Sequence, residues 1–300
     1  MAVATARWRR GARAGTSRVV GGSRFRVGAV VRFAYILLFL AFVVFPLYWV
    51  ATMSIKPVDE YQTIPPHFYP HHPTMIHFPD ALHHYRGLHG LENSLIIASA
   101  TTVLSVLIGT SMAYSLARFR TGGKQLAFWV LSQRFLPPVA IVIPVFLMYR
   151  DFPLFHFSLY DRHLGLILLY TVFTLPLSVW MMYAYFRQMP AELEEAALVD
   201  GCSRWQALWK IAWPLAAPGI VSAAAFAFIF SWTEFFFALV LTTSKAITLP
   251  ALFPQFLGFQ GAQFGESSAL TMLSIPPAII LGLLVQRHLV RGLTLGAIQG

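Results

Sequence analysis

One cysteine in 300 residues, Cys202, leaves no pair for an intramolecular disulfide and no set for a multi-cysteine metal site. Charge is scarce as well. Asp, Glu, Lys and Arg make up 11% of the chain, against about 25% in soluble domains. That shortfall removes much of the polar surface a water-soluble fold needs, and it excludes intrinsic disorder. Catalytic signatures are missing too: there is no H-E-x-x-H, no G-x-S-x-G and no paired acids in the apolar stretches. Nor is there a G-x-x-x-x-G-K-[ST] loop to cradle the phosphates of ATP. What remains is 57% hydrophobic, with a mean hydropathy of +0.63. The net charge of +10 raises nucleic acid as a partner. That reading needs a basic solvent-facing surface, and here the basic residues sit at the ends of apolar runs.

A bilayer core is crossed by about 20 helical residues. Six segments reach that length: 30–54, 93–117, 126–149, 163–186, 211–241 and 268–286. The expected fold is therefore all-α, a polytopic membrane protein of six transmembrane helices. The first segment is too long for a signal-peptide core and has no small-residue cleavage site after it, so it reads as a retained helix. Loop charges fix an expected orientation. With six spans, one side carries Arg7, Arg9, Arg10, Arg13, Arg18, Arg24, Arg26, Arg32, Arg118, Arg120, Lys124, Arg187, Arg204, Lys210, Arg287 and Arg291. The other carries only Lys56, Arg86, Arg150, Arg162 and Lys245. Both termini are thus expected in the cytoplasm, and attraction to anionic lipid accounts for the basic arm better than nucleic acid does. Prolines recur in or beside the spans (Pro46, Pro137, Pro138, Pro144, Pro176, Pro214, Pro218, Pro276, Pro277). Each frees a backbone carbonyl that neighbouring helices or cavity water must satisfy. A packed, moving bundle suits transport better than anchoring.

The loop between the fourth and fifth segments, Pro190 to Gln206, carries the most specific pattern. Pro190 and the acids Glu192, Glu194 and Glu195 suit a helix start, and Gly201 suits a left-handed C-terminal cap. Ser203 and Gln206 then form a capping box for a second helix. Two short helices should meet at a glycine corner. A helix this short is marginal alone, and its strip of Leu193, Ala196 and Ala197 wants a partner surface. A solvated connector is the alternative.

Glu195-Ala196-Ala197, three residues, Gly201, nine residues, Ile211 and Pro214 together resemble the EAA loop of binding-protein-dependent ABC importer permeases, E-A-A-x3-G-x9-I-x-L-P. Trp213 stands where the family usually has Leu. Ser231-Trp-Thr-Glu-Phe235 is similar to the family's S-W-N-D/E-F segment, with Thr233 in place of Asn. Val290-Arg-Gly-Leu-Thr-Leu-Gly-Ala-Ile-Gln-Gly300 resembles the tail of the carbohydrate-uptake branch, in particular its maltose-type second permease. The resemblance spans roughly residues 90–300. It implies the type I importer permease fold, with a coupling helix seated in a cytoplasmic ATPase and Glu194, Glu195, Ala196, Ala197, Asp200 and Gly201 at that contact. It also implies a second homologous permease, two ATP-binding subunits, an extracytoplasmic solute-binding protein, and a sugar, polyol or glycoside as cargo. ATP and Mg would be bound by the partner ATPase and no cofactor by this chain, which would be no enzyme itself. The location implied is the bacterial inner membrane. An importer of another solute is the runner-up, and a non-ABC membrane protein stands further behind.

The expected organisation is a basic arm at 1–29, a first helix and external His/Pro-rich loop at 30–92, a five-helix core at 93–289 with the coupling loop at 187–214, and a cytoplasmic tail at 290–300. Arg134 and Glu234 are charges at membrane depth, which normally face a cavity or pair. With Trp232 and Thr233 they are candidate substrate-pathway residues. Seven histidines (His67, His71, His72, His77, His83, His84, His89) crowd the external loop. His-His and His-x3-His spacings are compatible with a metal. The surrounding prolines and aromatics favour a contact loop for the solute-binding protein instead, and no metal is assigned.

Overall fold

The computed structural model describes residues 24–61, 63–150, 158–258 and 261–297. Most of the basic arm and the last three residues of the tail, Ile298 to Gly300, lie outside them. Helix α1 (Arg24–Met53) belongs for most of its length to a separate compact unit ending at Trp49. Within the second unit, α2 (Gly87–Phe119) and α5 (His163–Gln188) form the central pair. They approach closely because small residues line their seam. A Cβ built on Gly109 would stand 2.8 Å from the Ser178 Cβ and 3.3 Å from the Val179 nitrogen. Ser105 and Thr174 share a hydrogen bond across the same seam. Small residues that let backbones touch are the usual means of joining helices where lipid removes the hydrophobic driving force.

Two of the expected spans are broken. The third is α3 (Gly123–Ser132), a short turn Gln133–Phe135 and α4 (Pro138–Arg150), bent by 91°. Leu136 is extended ahead of Pro137-Pro138 (ψ 119°), because a residue before proline is pushed out of the helical region. The fifth expected span, 211–241, is redistributed. Residues from Ile211 to Leu215 complete the loop helix α7 (Arg204–Leu215), which bends by 78° into α8 (Ala217–Trp232). A break at Thr233–Phe235 then separates α8 from the short α9 (Phe236–Leu241). Among the described residues four helices are long and apolar enough to cross a membrane, and counting each bent pair as one span brings the number to six. The last, α10 (Phe264–Ala297), runs well past the expected 268–286 and takes the first part of the tail into its helical backbone. Packing of α8 on α2, α5 and α10 completes the bundle. Among the described residues the one β pairing is Leu257–Gly258 with Gly261–Ala262.

Candidate coupling loop and intramembrane cavity

The loop helix α6 (Glu192–Val199) and α7 meet at Gly201, as the spacing predicts. Gly201 has φ +86°. Its neighbours complete a Schellman cap: the Cys202 N–H donates to the Ala197 carbonyl (3.0 Å) and the Gly201 N–H to that of Leu198 (3.1 Å). The capping box is formed in both directions. Gln206 N–H donates to Ser203 Oγ at 3.2 Å, and Ser203 N–H donates to Gln206 Oε1 at 2.8 Å. Along α7, Trp205, Trp209 and Trp213 make a ladder at i, i+4 spacing, with centroids 5.6 and 4.3 Å apart. Trp213, the departure from the family pattern, therefore has a packing role.

The six loop residues divide by face. Glu194 and Ala197, three apart, are buried, whereas Glu195, Ala196, Asp200 and Gly201 are exposed. Glu194 is fixed to the bundle itself. Tyr114 Oη donates to its Oε2 at 2.8 Å, and Arg118 Nε and Nη2 both reach its Oε1, at 2.9 and 2.8 Å. Arg118 also donates to the Met189 carbonyl (3.1 Å), tying down the stem of the loop. The sequence offers Glu194 only as a helix-start acid and, by resemblance, as a residue at the ATPase contact, and Arg118 only as an orienting charge; their bond enters through the fold. The outer face holds Leu193, Ala196 and Val199, the last 87% exposed.

Of the four substrate-pathway candidates, the structure brings two together. Arg134, at the break between α3 and α4, and Glu234, at the break after α8, line one cavity of about 260 Å³ with Tyr170, Phe173, Thr174 and Phe230. They do not pair. The Arg134 guanidinium lies 4.4 Å from the Phe230 ring centre and donates to the Phe173 carbonyl at 3.3 Å. Glu234 accepts the N–H groups of Phe237 (3.0 Å) and Ala238 (3.3 Å), capping the start of α9. The buried Tyr170 hydroxyl lines the same cavity as Glu234. Trp232 packs elsewhere: it stacks on Phe228 and donates to the Ser274 carbonyl on α10. Thr233 donates to the Ile229 carbonyl in its own helix at 2.8 Å.

At the opposite end from the loop helix, Asp161 was not foreseen. Its carboxylate accepts backbone N–H groups from Thr243, Ser244, Lys245 and Ala246 at 3.0–3.2 Å. Arg86, His89 and Asn93 take the carbonyls of the same stretch. The 243–247 segment is thus held on both sides. Burial pushes the Asp161 carboxyl up, but the four amides outweigh it and hold it below the usual carboxylate range. A folded value below the unfolded one means stability present above about pH 3.9 and lost as pH falls through the folded value. Asp161→Asn should therefore cost on the order of 2 kcal/mol at neutral pH, and the gap should narrow below about pH 4. Thermal unfolding in detergent across pH measures it; curves that stay parallel into acid would contradict the role.

Apolar spans with breaks, a largely apolar cavity at those breaks that carries Arg134 and Glu234, and a capped helix–glycine–helix tied beneath the bundle define a transport subunit of the membrane. The chain belongs to the family of binding-protein-dependent transport system inner membrane components, whose pattern matches residues 105–295. It is 40% identical to the putative ABC transporter permease protein ORF1 of Streptomyces antibioticus over 77% of this chain and 99% of that one. It is 36% identical to the trehalose transport system permease protein SugB of Mycobacterium tuberculosis, covering 88% and 95%. To the sulfoquinovosyl glycerol transport system permease protein SmoH of Agrobacterium fabrum it is 33% identical, covering 93% and 97%. Its fold is similar to that of a chain in the crystal structure of a bacterial ABC transporter involved in the import of the acidic polysaccharide alginate (TM-score 0.74, 22% identity, 90% and 99% covered).

Proposed function

We propose that this chain forms half of the translocation pathway of an ATP-driven importer for a sugar, polyol or related glycoside. The partners are a second permease, two ATP-binding subunits that hold ATP and Mg, and an extracytoplasmic solute-binding protein. The chain itself catalyses no reaction, and both its termini lie in the cytoplasm. Two relatives are named for trehalose and sulfoquinovosyl glycerol, both glycosides, which favours a carbohydrate cargo. The observation that carries the reading is the two-faced loop: Glu194 and Ala197 turned to the bundle, and Glu195, Ala196 and Val199 bare to whatever lies beneath.

An ATPase cleft that grips the outer face would move α6 as a rigid body, because its inner face is bonded to α2 through Tyr114 and Arg118. Since α2 packs along α5, the displacement would pass into the bundle and rock it between inward- and outward-facing states. Purification in gentle detergent should bring the second permease and the ATPase with the wild-type chain. Ala196→Trp should lose the ATPase and keep the second permease. Undiminished ATPase recovery would overturn the reading. A ligand screen on the co-purifying binding protein then decides between a carbohydrate and another solute.

Arg134 and Glu234 face a cavity slightly smaller than the usual range for small-molecule sites, about 300 Å³ and upward, as suits a pathway completed by a partner. Donors and acceptors beside the rings of Phe173 and Phe230 match the hydroxyls and C–H faces of a sugar. Arg134→Ala should lower uptake about tenfold while the ATPase still co-purifies. Unchanged uptake would remove this cavity from the pathway.

A further inference from the structure

The seven histidines of the external loop separate once folded. His77 is buried among Tyr61, Glu266 and the Lys56 carbonyl, and His89 holds the carbonyls of Ser244 and Lys245. His67 and His71 behave differently, and we infer that together with Glu60 they form a binding site for a divalent transition-metal ion of the zinc class.

Each of the three offers a ligand atom, and these atoms lie within 4.8 Å of one another. His67 Nδ1 is buried with no hydrogen-bond partner, a costly state that native folds seldom leave unexplained. The Glu60 carboxylate, buried in the loop, is already aimed. Its Oε1 accepts the N–H groups of His71 (3.1 Å) and His72 (3.2 Å), which uses both lone pairs. Its Oε2 accepts the His71 N–H alone, at 3.1 Å, and keeps a lone pair free. That oxygen stands 3.8 Å from His71 Nδ1. The separation is too long for a hydrogen bond. Two ligands about 2.0–2.1 Å from a tetrahedral ion lie roughly 3.3 Å apart, so a contraction of about half an ångström would close this edge.

The frame around the cluster is firm. Lys56 donates to the His67 carbonyl, and the Thr74 N–H donates to the Ile55 carbonyl at 2.8 Å, closing the loop at its base. Amides that orient a liganding carboxylate are the ordinary support of such sites. Two imidazoles and one carboxylate select zinc-like ions over calcium or magnesium, which take all-oxygen sets. His67-x3-His71 was visible as a spacing, whereas Glu60 enters only through the fold. An ion here would staple a loop that has almost no regular secondary structure of its own.

The full-length chain, purified in detergent through a tag without histidine and stripped of metal, should bind one equivalent of Co(II) with the visible bands of a four-coordinate site. Zn(II) should displace the cobalt and raise the melting temperature. His67→Ala and His71→Ala should each weaken binding at least a hundredfold and abolish the thermal shift. His84→Ala, on an exposed ring outside the cluster, should leave both unchanged. His71 is itself 42% exposed, so its replacement keeps the test open if His67→Ala fails to fold. Cobalt bound without such bands, binding by His71→Ala as tight as wild type, or an equal loss in His84→Ala would overturn the site.

Discussion

Gly201→Val should leave the chain folded in the membrane and cut uptake by at least tenfold. The reason is conformational. A Cβ placed on Gly201 meets nothing within 4 Å, so no clash inside the chain opposes the substitution. What opposes it is φ +86°, where an L-residue pays about 1–2 kcal/mol and a β-branched one more. Relieving that strain breaks the cap formed by the Cys202 and Gly201 amides and swings α6 relative to α7. For valine, at or beyond the upper end of that range, the population with a correctly presented loop shifts by about 30-fold or more, so transport falls by at least tenfold in reconstituted vesicles. Asn tolerates the left-handed region better than Ala does. If conformation is the cause, uptake should rank Gly above Asn, Asn above Ala, and Ala above Val. A ranking by side-chain volume, with Ala above Asn, would assign the effect to crowding against the ATPase instead. Full uptake by Gly201→Val would remove the glycine corner from the mechanism.

The loop was legible because its determinants are local: a proline start, a glycine end and a capping box lie within seventeen residues of one another. Its phase was not. Leu193, Ala196 and Ala197 read as one apolar strip, but a helix of two turns has no unique apolar side when both faces are to be covered. The fold settles it through Tyr114 and Arg118, some eighty residues earlier, which draw Glu194 inward. Six apolar stretches were equally plain, since each is set by bilayer thickness. Where they break was only half visible: Pro137-Pro138 marks a weak point, but a proline pair does not by itself specify a bend of 91°. Arg134 and Glu234 were recognisable one at a time because charge at membrane depth is expensive. Their shared cavity arises because both sit at such breaks. Trp232 and Thr233 were swept in by sequence adjacency and turn to other partners. Asp161 left no mark at all, because every amide it holds is more than eighty residues away.

Glu194→Ala should be the most destabilising single change in the loop, and it should uncouple transport. The substitution strands Arg118, whose side chain is only 14% exposed, with the Met189 carbonyl as its remaining bond, and leaves the Tyr114 hydroxyl without its acceptor. Breaking a buried pair from one side costs about 3–5 kcal/mol, and the residual bond and partial exposure of Arg118 place this case near the lower figure. Glu194→Gln keeps an acceptor for Tyr114 but no charge for Arg118, so it should cost about 1–2 kcal/mol. Thermal unfolding of Glu194→Ala, Arg118→Met and the double variant measures the interaction directly. The double variant should recover about 2 kcal/mol relative to the sum of the singles, as expected for contacting residues in one network. Stability alone does not report transmission, so uptake per ATP hydrolysed is read alongside. A loop helix no longer bonded to α2 can still sit in the ATPase cleft without pulling on the bundle. The double variant should therefore regain stability while ATP is still hydrolysed with little uptake. Restored coupling in that variant would reduce the ion pair to a structural brace, and additive energies would show that Glu194 and Arg118 act separately.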